Sequence, residues 1–150
     1  EMKERKDRVE DALAATRAAA REGYVAGGGV AYIRAIESVE KARKNAKGDA
    51  KLGFDILANA LESPASLIAS NGGVDGDVVV EKIKEGTGGF GYNSSTSCYE
   101  DLVSSGIIDP ALVVCTAIQN AASVAGLMLT TNVVVTDLKD DDDPIEYAVY

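Results

Sequence analysis

The fold depends on one stretch, Val25-Ala26-Gly27-Gly28-Gly29-Val30, in which three glycines stand directly before a helix-forming segment. Glycine has no Cβ, so the backbone there turns tightly and a ligand can approach it closely. The free N–H groups of the following helix N-terminus attract anions. The stretch therefore predicts either a phosphate-binding loop or a plain turn between helices. The Walker and G-x-G-x-x-G patterns are absent, so the glycines alone leave both readings open.

A long amphipathic helix is predicted before the glycines, over residues 1–22. This segment contains no Gly or Pro, and Val9, Leu13 and Ala20 mark one apolar face among charged residues. Gly23 then ends the helix. Asp11 lies inside it, near the apolar face, where a carboxylate either orients water or holds Mg²⁺, or is simply a solvated acid.

Short helices and turns are predicted after the glycines. The helices cover residues 30–47, residues 49–70 with a kink or split at Pro64, and residues 77–84. Residues 88–93 predict a turn into a short extended segment, and residues 99–105 predict a helical turn. Asn93-Ser94-Ser95 offers amide and hydroxyl groups that either read the edge of a base or form a polar turn.

The last helix is predicted to begin at Asp109-Pro110, with Asp109 as the N-cap and Pro110 in the first helical position. Asp109 is also suited to accept hydrogen bonds from a ribose diol. No charge occurs over residues 111–136, but polar residues interrupt the segment, which predicts a helix buried among others and no membrane contact. Val133-Val134-Val135 predicts a strand. Residues 139–150 predict an acidic, disordered tail.

Composition excludes several classes of function. The chain has 150 residues, a net charge of −9 and no histidine, which argues against a nucleic-acid partner and removes every histidine-based catalytic or metal site. No metal site is predicted from this chain's own residues.

Cys98 and Cys115 are predicted to be buried, reduced thiols. One mainly helical domain with one or two small β elements is the expected fold.

In the order of its motifs, the chain resembles a known family, the group I chaperonin large subunit or GroEL family. The matching motifs are Val9-Glu10-Asp11-Ala12-Leu13, the glycine stretch, Gly91-Tyr92-Asn93, Gly106-Ile107-Ile108-Asp109-Pro110 and Ala121-Ala122-Ser123-Val124-Ala125-Gly126. The resemblance covers residues 1–138. It implies that residues 1–22 end an intermediate domain, that residues 23–138 form the C-terminal half of an equatorial ATP-binding domain, and that residues 139–150 are a tail.

The resemblance also implies roles for single residues, with ATP or ADP and Mg²⁺ as cofactors. The ligands of Mg²⁺ would lie mostly outside this chain. The implied roles are Asp11 for positioning the attacking water, Gly27 and Gly28 for the backbone against the nucleotide, Asn93, Ser94 and Ser95 for reading adenine, Ile107 for an apolar wall, and Asp109 for the ribose hydroxyls. The family more often has Ala at the positions of Ser94 and Ser95. Val133–Val135 would complete a sheet shared with a neighbouring subunit.

At the level of the whole protein, the resemblance implies an ATP-dependent ring that assists folding of other proteins inside a chamber. Homologous subunits would be its partners, and a missing apical domain would bind co-chaperonin and unfolded clients. The chain is therefore expected to be a fragment that is inactive alone; the alternative is a non-catalytic assembly module. Residues 63–69 and 78–83 resemble plastid α-type subunits, which implies the chloroplast stroma, with the bacterial cytoplasm or mitochondrial matrix as alternatives.

Overall fold

The computed structural model describes residues 1–136, and this part of the chain is mainly helical, as the sequence predicts. The predicted tail at residues 139–150 lies outside the described residues. The elements are α1 (Met2–Glu22), β1 (Tyr24–Ala26), α2 (Val30–Asn45), α3 (Ala50–Ala60), α4 (Ser63–Asn71), α5 (Gly76–Glu85), β2 (Phe90–Asn93), β3 (Cys98–Asp101), β4 (Ile108–Pro110) and α6 (Ala111–Thr130).

The predicted ends of the first helices are confirmed by local chemistry. Gly23 closes α1 with a positive φ of 82°, which favours glycine, and its N–H donates to the carbonyl of Ala19 at 2.8 Å. The long third helix is split, because Pro64 stands in the first turn of α4, where its missing N–H costs nothing. Asp75 caps α5 by accepting hydrogen bonds from the N–H groups of Asp77 and Val78.

The strands form two antiparallel pairs, and one of them corrects the sequence prediction. β2 pairs with β3 as a hairpin, with Tyr92 opposite Tyr99. The helical turn predicted over residues 99–105 is therefore wrong in its first half, since a strand occupies residues 98–101 and a turn follows. The two tyrosine rings lie with centroids 5.1 Å apart, and such cross-strand aromatic pairs stabilise a hairpin.

β1 pairs with β4, which corrects the predicted start of the last helix. Asp109 is not the N-cap but lies within β4, opposite Val25. A residue before proline is pushed out of the helical region, so Asp109 is extended and Pro110 becomes the N-cap of α6. The N–H of Ala111 donates to the carbonyl of Gly23 at 3.1 Å and fixes α6 beside the end of α1.

The core lies between α2, α4, α5 and the β2–β3 hairpin. On α5 the apolar face follows from helical spacing, and α2 and α4 pack across it. The buried apolar residues are Val30, Ile33, Leu61, Ala65, Ala69, Val79, Val80, Ile83, Tyr92 and Leu102.

The prediction that α6 is buried among other helices is wrong for the described chain. α6 packs on α1 and β4, yet it contains no buried residue, and side chains such as Leu127 and Leu129 are exposed. The lack of charged residues indicates that the surface of a helix is suited to burial, but it does not indicate which element covers that surface. By length and composition alone α6, with mean hydropathy 1.7, would also suffice to cross a membrane. The expected lack of membrane contact stays a prediction.

Two smaller expectations also differ from the structure. Val133–Val135 forms no strand within the described residues, because no described strand edge pairs with it, and all three valines are exposed. Cys98 and Cys115 are unbonded thiols, but both are exposed rather than buried. Cys98 lies in β3 beside the open hairpin turn, and Cys115 lies on the uncovered helix α6.

The conformation of Gly29 gives a direct test of the packing at the start of α2. Gly29 has φ 79°, and a Cβ there would lie 2.6 Å from the backbone nitrogen of Ala65. Gly48 is also left-handed (φ 57°), but a Cβ there meets nothing within 4 Å. We expect Gly48→Ala to lower the free energy of unfolding by about 1–2 kcal/mol. Gly29→Ala should cost about 1–3 kcal/mol more, from the clash.

Urea denaturation followed by circular dichroism measures both losses. Equal destabilisation by the two substitutions would contradict the tight contact between Gly29 and α4.

Candidate functional site

The glycine stretch forms a tight loop between β1 and α2. The N–H of Gly27 donates to the carbonyl of Ile107 at 3.0 Å, and the N–H of Val30 donates back to the carbonyl of Gly27 at 3.1 Å. Gly28 and Gly29 are both left-handed, with φ 61° and 79°, a conformation that other residues rarely adopt. Among the described hydrogen bonds, neither the Gly28 nor the Gly29 N–H donates to a protein acceptor.

Close packing requires glycine in this loop independently of any ligand. A Cβ on Gly27 would lie 3.2 Å from the Ile107 carbonyl oxygen, and one on Gly28 would lie 3.0 Å from Leu102 Cδ1. The loop is thus packed against the residue before β4 on one side and against the residue after β3 on the other. The structure therefore brings Gly27, Gly28 and Ile107 together, while the roles expected of them stay predictions.

Asp109 lies next to this loop because of the β1–β4 pairing. It stands opposite Val25, two residues before Gly27 on the neighbouring strand. Its carboxylate is half-buried, and burial raises its pKa above the ordinary value of Asp. The Tyr32 hydroxyl is nearby: burial first, and then the charges of Asp109 and Cys115, raise the pKa of Tyr32. Within residues 1–136, Asp109 has no ion-pair partner, so its carboxylate oxygens remain available as acceptors.

Asn93 ends β2, and its amide is already engaged in the hairpin. Its Oδ1 accepts a hydrogen bond from the Ser95 N–H at 3.0 Å, and its Nδ2 donates to Glu100 Oε1 at 2.6 Å. The preceding residue, Tyr92, contacts the glycine loop, since a Cβ on Gly28 would lie 3.7 Å from the Tyr92 carbonyl oxygen. Asn93 is therefore the next residue in the chain after one that contacts the glycine loop.

The two predicted serines and the predicted catalytic acid lie apart from this cluster. Ser94 and Ser95 are exposed in the hairpin turn, with Ser94 beside the end of α4 at Gly72. Asp11 is exposed on α1, about 16 Å along the helix axis from Glu22 at the rise of an ideal helix. In this conformation α1 packs on α6 and β4, so the roles expected of these three residues stay predictions.

Sequence reasoning missed Glu100. This carboxylate accepts hydrogen bonds from both Asn93 Nδ2 and Ser105 Oγ, at 2.6 and 2.7 Å. These bonds, with that from Asn93 the stronger cause, lower the pKa of Glu100 below the ordinary value. No motif marks an acid at this position. Only the register of the β2–β3 hairpin could have revealed the contact, and the sequence predicted a helical turn where β3 lies.

A large cleft among the described residues is elsewhere. It measures ≈ 840 Å³, lies between α2, α3 and the loop after α5, and includes none of the predicted site residues. Its charges largely compensate one another: Arg43 pairs with Asp55, and Lys84 with Glu62 at 2.9 Å. We assign the candidate site to the glycine loop, because the half-buried Asp109 and the open N–H groups are there.

Metal ligands do not gather at this site. Over residues 1–136, no three His, Cys, Asp or Glu side chains are grouped closely enough to hold a metal ion. The described residues therefore offer acceptors for sugar hydroxyls and donors for an anion, but no ligand set for Mg²⁺.

The raised pKa of Asp109 predicts a stability gain when its charge is removed. The folded chain binds a proton at Asp109 more tightly than the unfolded chain does, so the ionised carboxylate costs stability above its folded pKa. We expect Asp109→Asn to stabilise the chain at pH 7, and the gain to vanish as the pH falls below about 3.9, the unfolded pKa.

Urea denaturation of wild type and variant at both pH values measures this difference. Asp7→Asn removes the same charge from an exposed helical position and corrects for general repulsion in an acidic chain. A gain at Asp109 no larger than at Asp7 would contradict the desolvation of Asp109.

Comparison with known families identifies the family of the chain. A sequence model of the TCP-1/cpn60 chaperonin family matches residues 1–139. The match spans α1, the glycine loop, the hairpin, Asp109 and α6, and so includes every element of the candidate site. It covers nearly the whole chain, and the chain therefore belongs to the TCP-1/cpn60 chaperonin family.

Proposed function

We propose that this chain supplies one wall of the ATP site of a chaperonin subunit. Family membership gives the chaperonin role. The proposal for ATP rests on one observation, the half-buried and unpaired carboxylate of Asp109 held beside the glycine loop by the β1–β4 pairing. A buried carboxylate without a cation costs free energy, and a ligand that donates hydrogen bonds to it offsets that cost.

In this proposal, different groups around the loop contact the ribose, the base and the phosphates of the nucleotide. Asp109 accepts hydrogen bonds from the two ribose hydroxyls, and Ile107 forms an apolar wall against the base. The Gly28 N–H and the N-terminal end of α2 face the phosphates, where the helix dipole favours negative charge. Asn93, with Ser94 and Ser95 beside it, reads adenine. Charge stabilisation and positioning are what phosphoryl transfer requires of a protein.

Hydrolysis in this proposal requires a movement of α1. Asp11 positions the attacking water, and α1 ends at Gly23, whose positive φ marks the place where the chain changes direction. Closure of α1 over the site would couple hydrolysis to domain movement. Mg²⁺ accompanies ATP, with ligands lying mostly outside this chain.

At the level of the assembly, we propose the known organisation of the family. Homologous subunits form a ring whose chamber assists folding of client proteins, and an apical domain outside this chain contacts clients and co-chaperonin. The group I type, the plastid α-type and the chloroplast stroma are part of the proposal, supported by the sequence of residues 63–69 and 78–83.

Calorimetric titration of Mg·ATP into the 150-residue chain tests the nucleotide site. Saturable binding is expected, and Asp109→Ala should weaken it at least about tenfold, because two hydrogen bonds to a charged acceptor are lost. Asp49→Ala is the matched control, since Asp49 is exposed and makes no capping hydrogen bond. No saturable binding by the wild-type chain, or equal binding by both variants, would contradict the assignment.

The exposed apolar surface of α6 favours a second role, in subunit assembly. Val124, Leu127, Met128 and Leu129 are each more than half exposed in the described chain. Large apolar patches of this kind mark protein–protein contacts. The ring assembly implied by the family needs such surfaces, and this role is compatible with nucleotide binding.

Sedimentation velocity across a range of concentrations tests the second role. We expect the wild-type chain to self-associate and Leu127→Lys to shift it towards monomer, since a buried charge disrupts an apolar contact. Leu52→Lys, at a 62% exposed position of α3, changes the charge equally and should leave association unchanged. A wild-type chain that is monomeric throughout would contradict this role.

A further inference from the structure

The β2–β3 hairpin turns one face toward the glycine loop. Its register places Gly91 opposite Glu100 and Asn93 opposite Cys98, so Gly91, Asn93 and Glu100 share one face. A Cβ on Gly91 would lie 2.5 Å from Val30 Cγ2, which shows that this face lies against the start of α2. Asn93 and Glu100 are thus diagonal neighbours on the side of the hairpin that borders the candidate site.

Two opposite contacts hold the Asn93 amide. Its Nδ2 donates to Glu100 Oε1 at 2.6 Å, and its Oδ1 accepts from the Ser95 N–H at 3.0 Å. The other oxygen of Glu100 accepts from Ser105 Oγ at 2.7 Å, so both carboxylate oxygens are occupied. These hydrogen bonds keep the pKa of Glu100 low, and the group stays ionised at neutral pH.

An ionised Glu100 makes the two ends of the amide unequal. A rotation of the amide by half a turn would place Asn93 Oδ1 against the carboxylate and Nδ2 against the Ser95 N–H. Both contacts would then be repulsive, acceptor facing acceptor and donor facing donor. The amide is therefore restricted to one orientation, with one N–H and one oxygen lone pair free for a ligand.

This restriction matters for recognition of a purine. Adenine presents an amino donor at position 6 beside a ring-nitrogen acceptor at position 1. Hypoxanthine has the same shape but presents an acceptor at position 6 and a donor at position 1. An amide free to rotate satisfies both bases equally well, whereas an amide held in one orientation satisfies only one of them in a given binding pose.

We propose that Glu100 is a positioning residue that fixes the Asn93 amide and thereby makes the site select adenine over hypoxanthine. The proposal rests on the nucleotide function proposed above and adds to it the residue that sets base selectivity. Glu100 does not touch the base; it acts through Asn93. Ser105 supports the other carboxylate oxygen and is not needed to keep the charge that orients the amide.

Calorimetric dissociation constants for Mg·ATP and Mg·ITP, measured on the 150-residue chain, test the selectivity. The wild-type chain should prefer ATP by about tenfold or more, the range of one bidentate contact. In Glu100→Gln the new amide can donate or accept, so only the Ser95 N–H still orients the Asn93 amide, and the preference should fall to within about threefold. Ser105→Ala keeps the carboxylate and should keep the preference. ATP binding with an unchanged preference in Glu100→Gln would overturn the proposal.

A measurement without nucleotide separates this proposal from the function on which it rests. The Asn93 side-chain NH₂ signals in a ¹H–¹⁵N spectrum report the hydrogen bond to Glu100 directly. They should move strongly in Glu100→Gln and little in Ser105→Ala. Unmoved signals in Glu100→Gln would overturn the positioning role. Moved signals in a chain that binds neither nucleotide would instead overturn the proposed function, and base selection with it.

Discussion

The pairing of β1 with β4 is the constraint on which the rest of this structure depends. Three residue pairs, from Tyr24 with Pro110 to Ala26 with Ile108, join segments that lie far apart in the sequence. The hydrogen bond from the Gly27 N–H to the Ile107 carbonyl extends the pairing into the loop. Closing so long a loop costs conformational entropy, which the core enclosed between the two strands offsets. Without this pairing, Asp109 would not lie beside the glycines.

A second connection sets the distance from the loop to the hairpin. Arg34 on α2 donates from Nε and Nη2 to the carbonyls of Gly88 and Phe90, both at 3.1 Å. Leu102 packs against the position of Gly28 from the other side. Polar contacts from Arg34 and the apolar contact of Leu102 thus fix the position of the hairpin relative to α2 and the glycine loop. The candidate base-reading group, Asn93, is held at a set place relative to the helix N-terminus.

The sequence predicted local features well where one residue type decides them. Gly23 ended α1 and Pro64 split the third helix, because each acts through its own backbone. Predictions failed where distant partners decide. The strand at residues 98–101 needs Tyr92 across the hairpin, and Asp109 became extended because it precedes Pro110 and meets β1. The covering of α6 and the pairing of Val133–Val135 depend on partners that no local pattern specifies.

The candidate site followed the same division. The motif order brought Gly27, Gly28, Ile107 and Asp109 to attention, and the β1–β4 register explains why they meet. Glu100 has no sequence signal, because its contact with Asn93 exists only once β2 and β3 are aligned. Residue chemistry therefore indicates which groups a site can use, while strand register decides which of them act together.

Charge placement reconciles an acidic chain with an anionic ligand. At a net charge of −9, the protein as a whole repels a nucleotide, although salt screens this repulsion beyond about 8–10 Å. Nucleotide binding at the proposed site would therefore depend on local groups. In the proposed arrangement Asp109 borders the sugar, and Glu100 lies behind Asn93 on the side of the base. Sugar and base are neutral and carry hydrogen-bond donors. The phosphates face the Gly28 N–H and the α2 N-terminus, where no described side chain adds negative charge in the first turn. Separation of acceptors from donors along one loop is how the proposed site would hold both ends of a nucleotide.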